Sequence, residues 1–133
     1  MSEHNPGVPL GAWLADLPDE RLIRLLELRP DLTQPPPGSI AALAARAQAR
    51  QSVKAATDEL DFLRLAALDA LLTLHADTTP VPLTKLTALL GDRVDEEAIA
   101  AAVDDLRERA LVWGDSEIRV AAEASSGLPW YPG

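Results

Sequence analysis

The chain has 133 residues, of which 47% are hydrophobic but only 4% aromatic, and carries a formal net charge of −9. That length buries about two-thirds of an unfolded chain's surface, in one domain or in two small subdomains sharing a core; a core drawn from Leu, Ala, Val and Ile favours helix over sheet. The absence of cysteine excludes disulfides, thiolate metal sites and thiol catalysis, His4 and His75 alone do not make an imidazole-rich zinc site, and no metal or cofactor is expected.

Residues 1–8 are polar. A first short helix is predicted from Pro9, with Leu10, Trp13, Leu14 and Leu17 at helical spacing. A second begins at Pro18, with Asp19 and Glu20 where the helix dipole favours anions, and stops at Pro30. Its expected buried stripe is Leu22, Ile23, Leu25 and Leu26. The run Gln34-Pro35-Pro36-Pro37-Gly38 is the strongest break in the chain, because three prolines remove backbone donors and fix an extended path. Ser39 then offers a cap for a helix through Ile40, Leu43, Ala44 and Ala47. Ser52 is the expected cap of the next, through Val53, Ala56 and Leu60.

Residues 60–76 form the most apolar stretch, which predicts a central helix. Leu63, Leu68, Leu71, Leu72, Ile99, Val103 and Leu106 are expected to share its core. Residues 77–82 read as a turn. A short helix follows through Leu83, Leu86, Leu89 and Leu90, closed by Gly91. Asp95, Glu96 and Glu97 then open a helix whose apolar face is Ile99, Ala102, Val103, Leu106 and Ala110. After Arg109 the period changes. Residues 110–113 and 118–121 are β-prone and flank Gly114-Asp115-Ser116-Glu117, which is hairpin chemistry. Residues 122–133 are rich in Ser, Gly and Pro and read as a linker or tail, so the chain is expected to be the N-terminal piece of a longer protein.

The expected fold is therefore mainly α: helical hairpins (residues 1–59) packed on a winged helix-turn-helix (residues 60–121) with one C-terminal β-hairpin. A winged helix usually reads DNA with its third helix and wing. Here residues 60–121 hold twelve acidic and six basic residues, and phosphate contact needs cations on the approaching face. Docking to further domains of the same polypeptide or to a protein partner is the leading expectation. A winged-helix DNA-binding domain is the alternative, and an enzyme fragment completed by residues beyond Gly133 is a third. The candidate contact residues are Lys85, Arg93, Glu96, Glu97, Arg107, Arg109, Arg119 and Trp130. Asp58, Glu59 and Asp61 cluster carboxylates, but helical spacing does not aim all three at one point. No Walker-type phosphate loop, dinucleotide fingerprint, nucleophile elbow or zincin motif occurs, and no enzymatic activity is expected. No run of about 18 apolar residues is present, and the N-terminus lacks the basic start and apolar core of a signal peptide. A cytoplasmic protein with no membrane partner is expected.

The strings LADLPDERLIRLLELRPDL, PPPGSIAALAARAQARQSV and LDFLRLAALDALLTL resemble the N-terminal region of actinobacterial helicase-associated proteins, which is likened to the N-terminal part of the XPB-type repair helicases. The resemblance runs over roughly residues 10–121 and rests on the placement of Leu, Arg, Pro and Asp. It implies an accessory domain of a larger DNA-linked protein, in repair or transcription, reaching nucleic acid through the full-length protein. It carries no catalytic residue onto this chain.

Overall fold

In the computed structural model, which describes residues 8–34, 36–91 and 93–128, most of the chain is helical. The α-helices are α1 (Leu10–Ala15), α2 (Asp19–Leu28), α3 (Ile40–Ala47), α4 (Arg50–Thr57), α5 (Phe62–Thr73), α6 (Leu83–Leu90) and α7 (Glu96–Glu108). Three short strands, β1 (Val81–Pro82), β2 (Val112–Trp113) and β3 (Glu117–Val120), and two 3-10 segments, Pro30–Thr33 and Ala122–Gly127, complete it.

The helix starts follow local chemistry. Pro9, Pro18 and Pro82 each sit at the N-cap of α1, α2 and α6 in extended geometry, because the ring pins φ where the chain must enter the helix. Ser39 Oγ accepts from the Ala42 amide at 3.0 Å and caps α3. Asp61 does the same for α5, accepting from the Arg64 amide at 3.0 Å. Ser52, expected as a cap, is instead inside α4 and buried; Ala49 is the N-cap.

Helices α5 and α7 end alike. The Ala76 amide reaches back to the Leu71 carbonyl and the His75 amide to that of Leu72; Leu111 and Ala110 repeat the pattern on Leu106 and Arg107. Both are Schellman closures, which place one residue in the left-handed region, usually glycine. Here those residues are His75 at φ 66° and Ala110 at φ 55°.

One contiguous core includes Leu14, Leu25, Val53, Leu71, Val103 and Ile118. Of the expected central set, Leu68, Leu71, Ile99, Val103 and Leu106 are buried, Leu72 is half-buried against them and Leu63 is half-buried. On α2 the stripe is narrower than expected. Leu25 is 1% exposed, but Ile23 is 57% exposed, because the buried face of α2 is centred on Leu25.

The expected hairpin is present: β2 pairs antiparallel with β3, Val112 opposite Val120 and Trp113 opposite Arg119. Gly114, at φ 94°, makes the turn; a Cβ there would meet the Glu117 carbonyl oxygen at 2.1 Å. The hairpin is not alone, which corrects the expected single hairpin and the turn over residues 77–82. Val81 pairs with Ile118 and Pro82 with Glu117, giving a three-stranded sheet of order β1-β3-β2. A two-residue strand ending in proline has no alternation to reveal it, and proline is tolerated because β1 is an edge. Residues 122–127, read from the sequence as the start of a linker, form a 3-10 helix that packs on α4 and α5 with Ala124 buried.

Sequence reasoning also missed Arg29. It follows α2, is 1% exposed, and ties four elements together. Its guanidinium donates to the carbonyl of Ala47 at 2.7 Å, to Ser52 Oγ at 2.8 Å and to the carbonyl of Arg109 at 2.8 Å. Ser52 Oγ in turn donates to Asp31 at 2.5 Å. Burial pushes the Arg29 guanidinium down to about 10, against the attraction of Asp31, so it stays charged at neutral pH. The Nε atom has no protein partner. The one sequence signal was its position four residues after Leu25, on the apolar stripe of α2.

Candidate interaction site

The expected contact residues fall into three groups. Lys85 on α6, Arg93 between α6 and α7, and Glu96 and Glu97 in the first turn of α7 are exposed. Arg107, Arg109 and Arg119 are half-buried. Trp130 lies outside the described residues.

The half-buried arginines have structural work. Arg107 donates from Nε to the Gly114 carbonyl at 2.8 Å and from Nη2 to the Asp115 carbonyl at 2.5 Å, and pairs with Asp104 at 2.6 Å. It thereby fastens the hairpin turn to the end of α7. Arg109 donates to the Asp105 carbonyl at 2.9 Å, and its own carbonyl receives Arg29. Arg119 donates to the carbonyls of Ala76 at 3.0 Å and Asp77 at 2.6 Å, and its guanidinium lies 5.5 Å from the Trp113 ring centroid, within cation–π range. The five donors of a guanidinium suit it to collecting several carbonyls at once. No sequence spacing announced the bonds of Arg119, whose acceptors lie 42 and 43 residues earlier.

Arg64 is a further ion-pair centre. It pairs with Asp61 at 2.7 Å and with Asp105, joining α5 to α7. Asp105 first and Asp61 second hold its guanidinium above the ordinary arginine value. Asp61 is held below its own, chiefly by the Arg64 backbone amide. These carboxylates thus cap and pair. Among the described residues no group of three or more His, Cys, Asp or Glu is placed to hold a metal ion.

Two clefts flank the hairpin turn. The first, of about 570 Å³, has Trp13, Leu17 and Pro80 on its walls and the exposed carboxylates of Asp16, Asp115 and Glu117 around it. Trp113 lies at its base, 3% exposed, its indole N–H donating to the Val8 carbonyl at 2.7 Å. The second, of about 650 Å³, is more open and lies between α6, the start of α7 and the hairpin, lined by Leu83, Thr87, Ala88 and Glu96. Ser116 and Glu117 line both clefts. Glu96 and Arg119 are therefore the expected contact residues that line a cleft, one on each side of the turn. Lys85 and Arg93 line neither.

Among the described residues no helix is long and apolar enough to cross a membrane. The sequence matches no protein-family model, and neither a curated protein nor a solved structure shows significant similarity to it.

Proposed function

We infer that this chain is a non-catalytic docking module, an accessory domain of a larger helicase-associated, DNA-linked protein, in which a winged helix-turn-helix presents an acidic face to a protein partner. One observation carries the reading. The guanidinium groups of Arg107, Arg109 and Arg119 bond to backbone carbonyls of this chain, while Glu96, Glu97 and Asp104 of α7 are exposed. A DNA reader needs the reverse, because phosphate contact supplies most non-specific affinity. The order α5, α6, α7 and then the β2–β3 hairpin supports the winged-helix assignment. The resemblance over residues 10–121 supports the DNA-linked setting. Further domains of the same polypeptide or a separate protein would be the partner.

The test is fluorescence anisotropy with a labelled duplex across a salt series. The expected outcome is binding weaker than about 10 μM at physiological salt, since specific readers reach about 10 nM or tighter. Replacing Arg107 would disturb the hairpin turn itself, so the informative variants are Lys85→Ala and Arg93→Ala, whose side chains are exposed. Submicromolar binding that falls steeply with salt and is lost in those variants would restore the DNA-reading alternative.

A further inference from the structure

We propose that the cleft between α1 and the hairpin turn is a binding site for an extended segment of a partner protein in which lysine or arginine alternates with bulky apolar side chains. The proposal rests on the docking-module reading and names the chemistry of the partner.

The lining is mostly apolar and includes two tryptophans, Trp13 and Trp113. Trp13 is half-buried, packs on the core and still faces the cleft, together with Leu17 and Pro80. Partly exposed tryptophan on a rigid support is the side chain best suited to anchor a partner. The hairpin wall is held by Arg107, which bonds two carbonyls of the turn, and is tied to the chain just before α1 by the Trp113 indole N–H, which donates to the Val8 carbonyl at 2.7 Å. The volume of about 570 Å³ accommodates two or three side chains, within the range of ligand clefts.

The rim selects the charge. Asp16, Asp115 and Glu117 are exposed around the first cleft, and Glu96 is exposed on the far wall of the second. Against these four carboxylates stand the guanidinium of Arg119, whose Nε and Nη2 bond to the Ala76 and Asp77 carbonyls and which lies over Trp113, and that of Arg107, which bonds to the Gly114 and Asp115 carbonyls and is paired with Asp104. An anionic segment would meet repulsion on both sides of the turn. A cationic one is steered inward, and rim charges act chiefly on encounter and selectivity. Ser116 and Glu117 line both clefts, so the path continues over the turn and fits an extended chain rather than a compact ligand. In such a chain successive side chains point to opposite sides, apolar ones to the tryptophan wall and basic ones to the carboxylates.

The experiment uses the full chain and a fluorescein-labelled hexapeptide of alternating lysine and leucine. Two control peptides are hexalysine and alternating glutamate and leucine. The lysine–leucine peptide is expected to bind, to weaken about tenfold between about 0.05 and 0.5 M salt, and to shift the Trp113 indole N–H resonance. The variant Asp16→Asn, Asp115→Asn, Glu117→Gln changes only exposed side chains and should keep the fold, checked by circular dichroism, while weakening the peptide about tenfold. Equal binding of hexalysine or of the glutamate peptide would overturn the proposal, as would an unaffected triple variant. Binding that appears only after removal of residues 1–7 or 129–133 would mean that the chain's own ends fill the cleft. Displacement of the peptide by self-association at high protein concentration would assign the cleft to a second copy. Failure of the peptide with duplex DNA also unbound sinks this site and leaves the docking-module reading standing; tight DNA binding sinks that reading itself.

Discussion

The guanidinium of Arg29 donates to the main-chain carbonyl of Arg109 at 2.8 Å, across 80 residues of sequence. It joins the end of α2 to the end of α7, and through Ala47 and Ser52 it joins both to the α3–α4 corner. Replacing Arg29 by Ala leaves the Ala47 and Arg109 carbonyls without this donor and opens a cavity. The expected loss is about 2–4 kcal/mol, read from chemical denaturation. Arg29→Lys should recover less than half, because an ammonium cannot reproduce the planar fork. A denaturation midpoint unchanged in Arg29→Ala would show that the hub contributes nothing.

The narrowed stripe of α2 gives a paired test. Leu25→Ala, at a side chain 1% exposed, should cost about 2–5 kcal/mol, as should Leu71→Ala, buried in the last turn of α5. Ile23→Ala, at 57% exposure, should change stability by no more than about 0.5 kcal/mol. Urea melts of the three variants decide the face of α2 directly. Comparable losses at Ile23 and Leu25 would rotate the helix.

His75 offers a stabilising change. It is exposed and held at φ 66° by the closure of α5, a conformation that costs an L-residue about 1–2 kcal/mol. Glycine adopts it freely but gives back part of the gain in unfolded-chain entropy. His75→Gly should therefore raise stability by about 0.5–1 kcal/mol, seen as a higher midpoint in thermal melts. A lowered midpoint would mean that the imidazole contributes a contact larger than the backbone strain.

Asp61 gives the pH dependence. Its carboxyl lies below the ordinary 3.8, first because it accepts from the Arg64 amide and further because of the Arg64 side chain. A depressed carboxylate contributes stability that is fully present above its unfolded value and is lost as pH falls through the folded one. At pH 7, Asp61→Ala should cost about 1 kcal/mol and Asp61→Asn less, since Asn keeps the cap. As pH falls below the ordinary 3.8 and through the lowered folded value, the gap between wild type and Asp61→Asn should close. Urea midpoints at about pH 7, 4.5 and 2.5 measure it; a gap that widens on acidification would reverse the assignment.

Much of the local structure is legible in the sequence. The positions of Pro9, Pro18 and Ser39 mark helix starts, and the change of period after Arg109 marks the hairpin. These features depend on forces acting within a few residues: fixed φ at proline, a side-chain oxygen reaching an amide three positions on, alternation against one face. The acidic balance and the lack of cysteine are likewise properties of the chain itself.

What the tertiary structure decided depends on distance in sequence. The strand at Val81–Pro82 exists because Ile118 lies opposite it. The burial of Arg29 follows from a carbonyl at Arg109, and the packing of Ala124 from the surface of α4 and α5. Arg107 and Arg119 look in sequence like cations available to a partner, yet each bonds to carbonyls outside its own element that only folding brings within reach. A residue's charge is written in its side chain. Whether that charge faces a partner or closes a turn is set by which unsatisfied main-chain groups the fold places beside it, because a buried carbonyl left without a donor costs more than a surface charge gains.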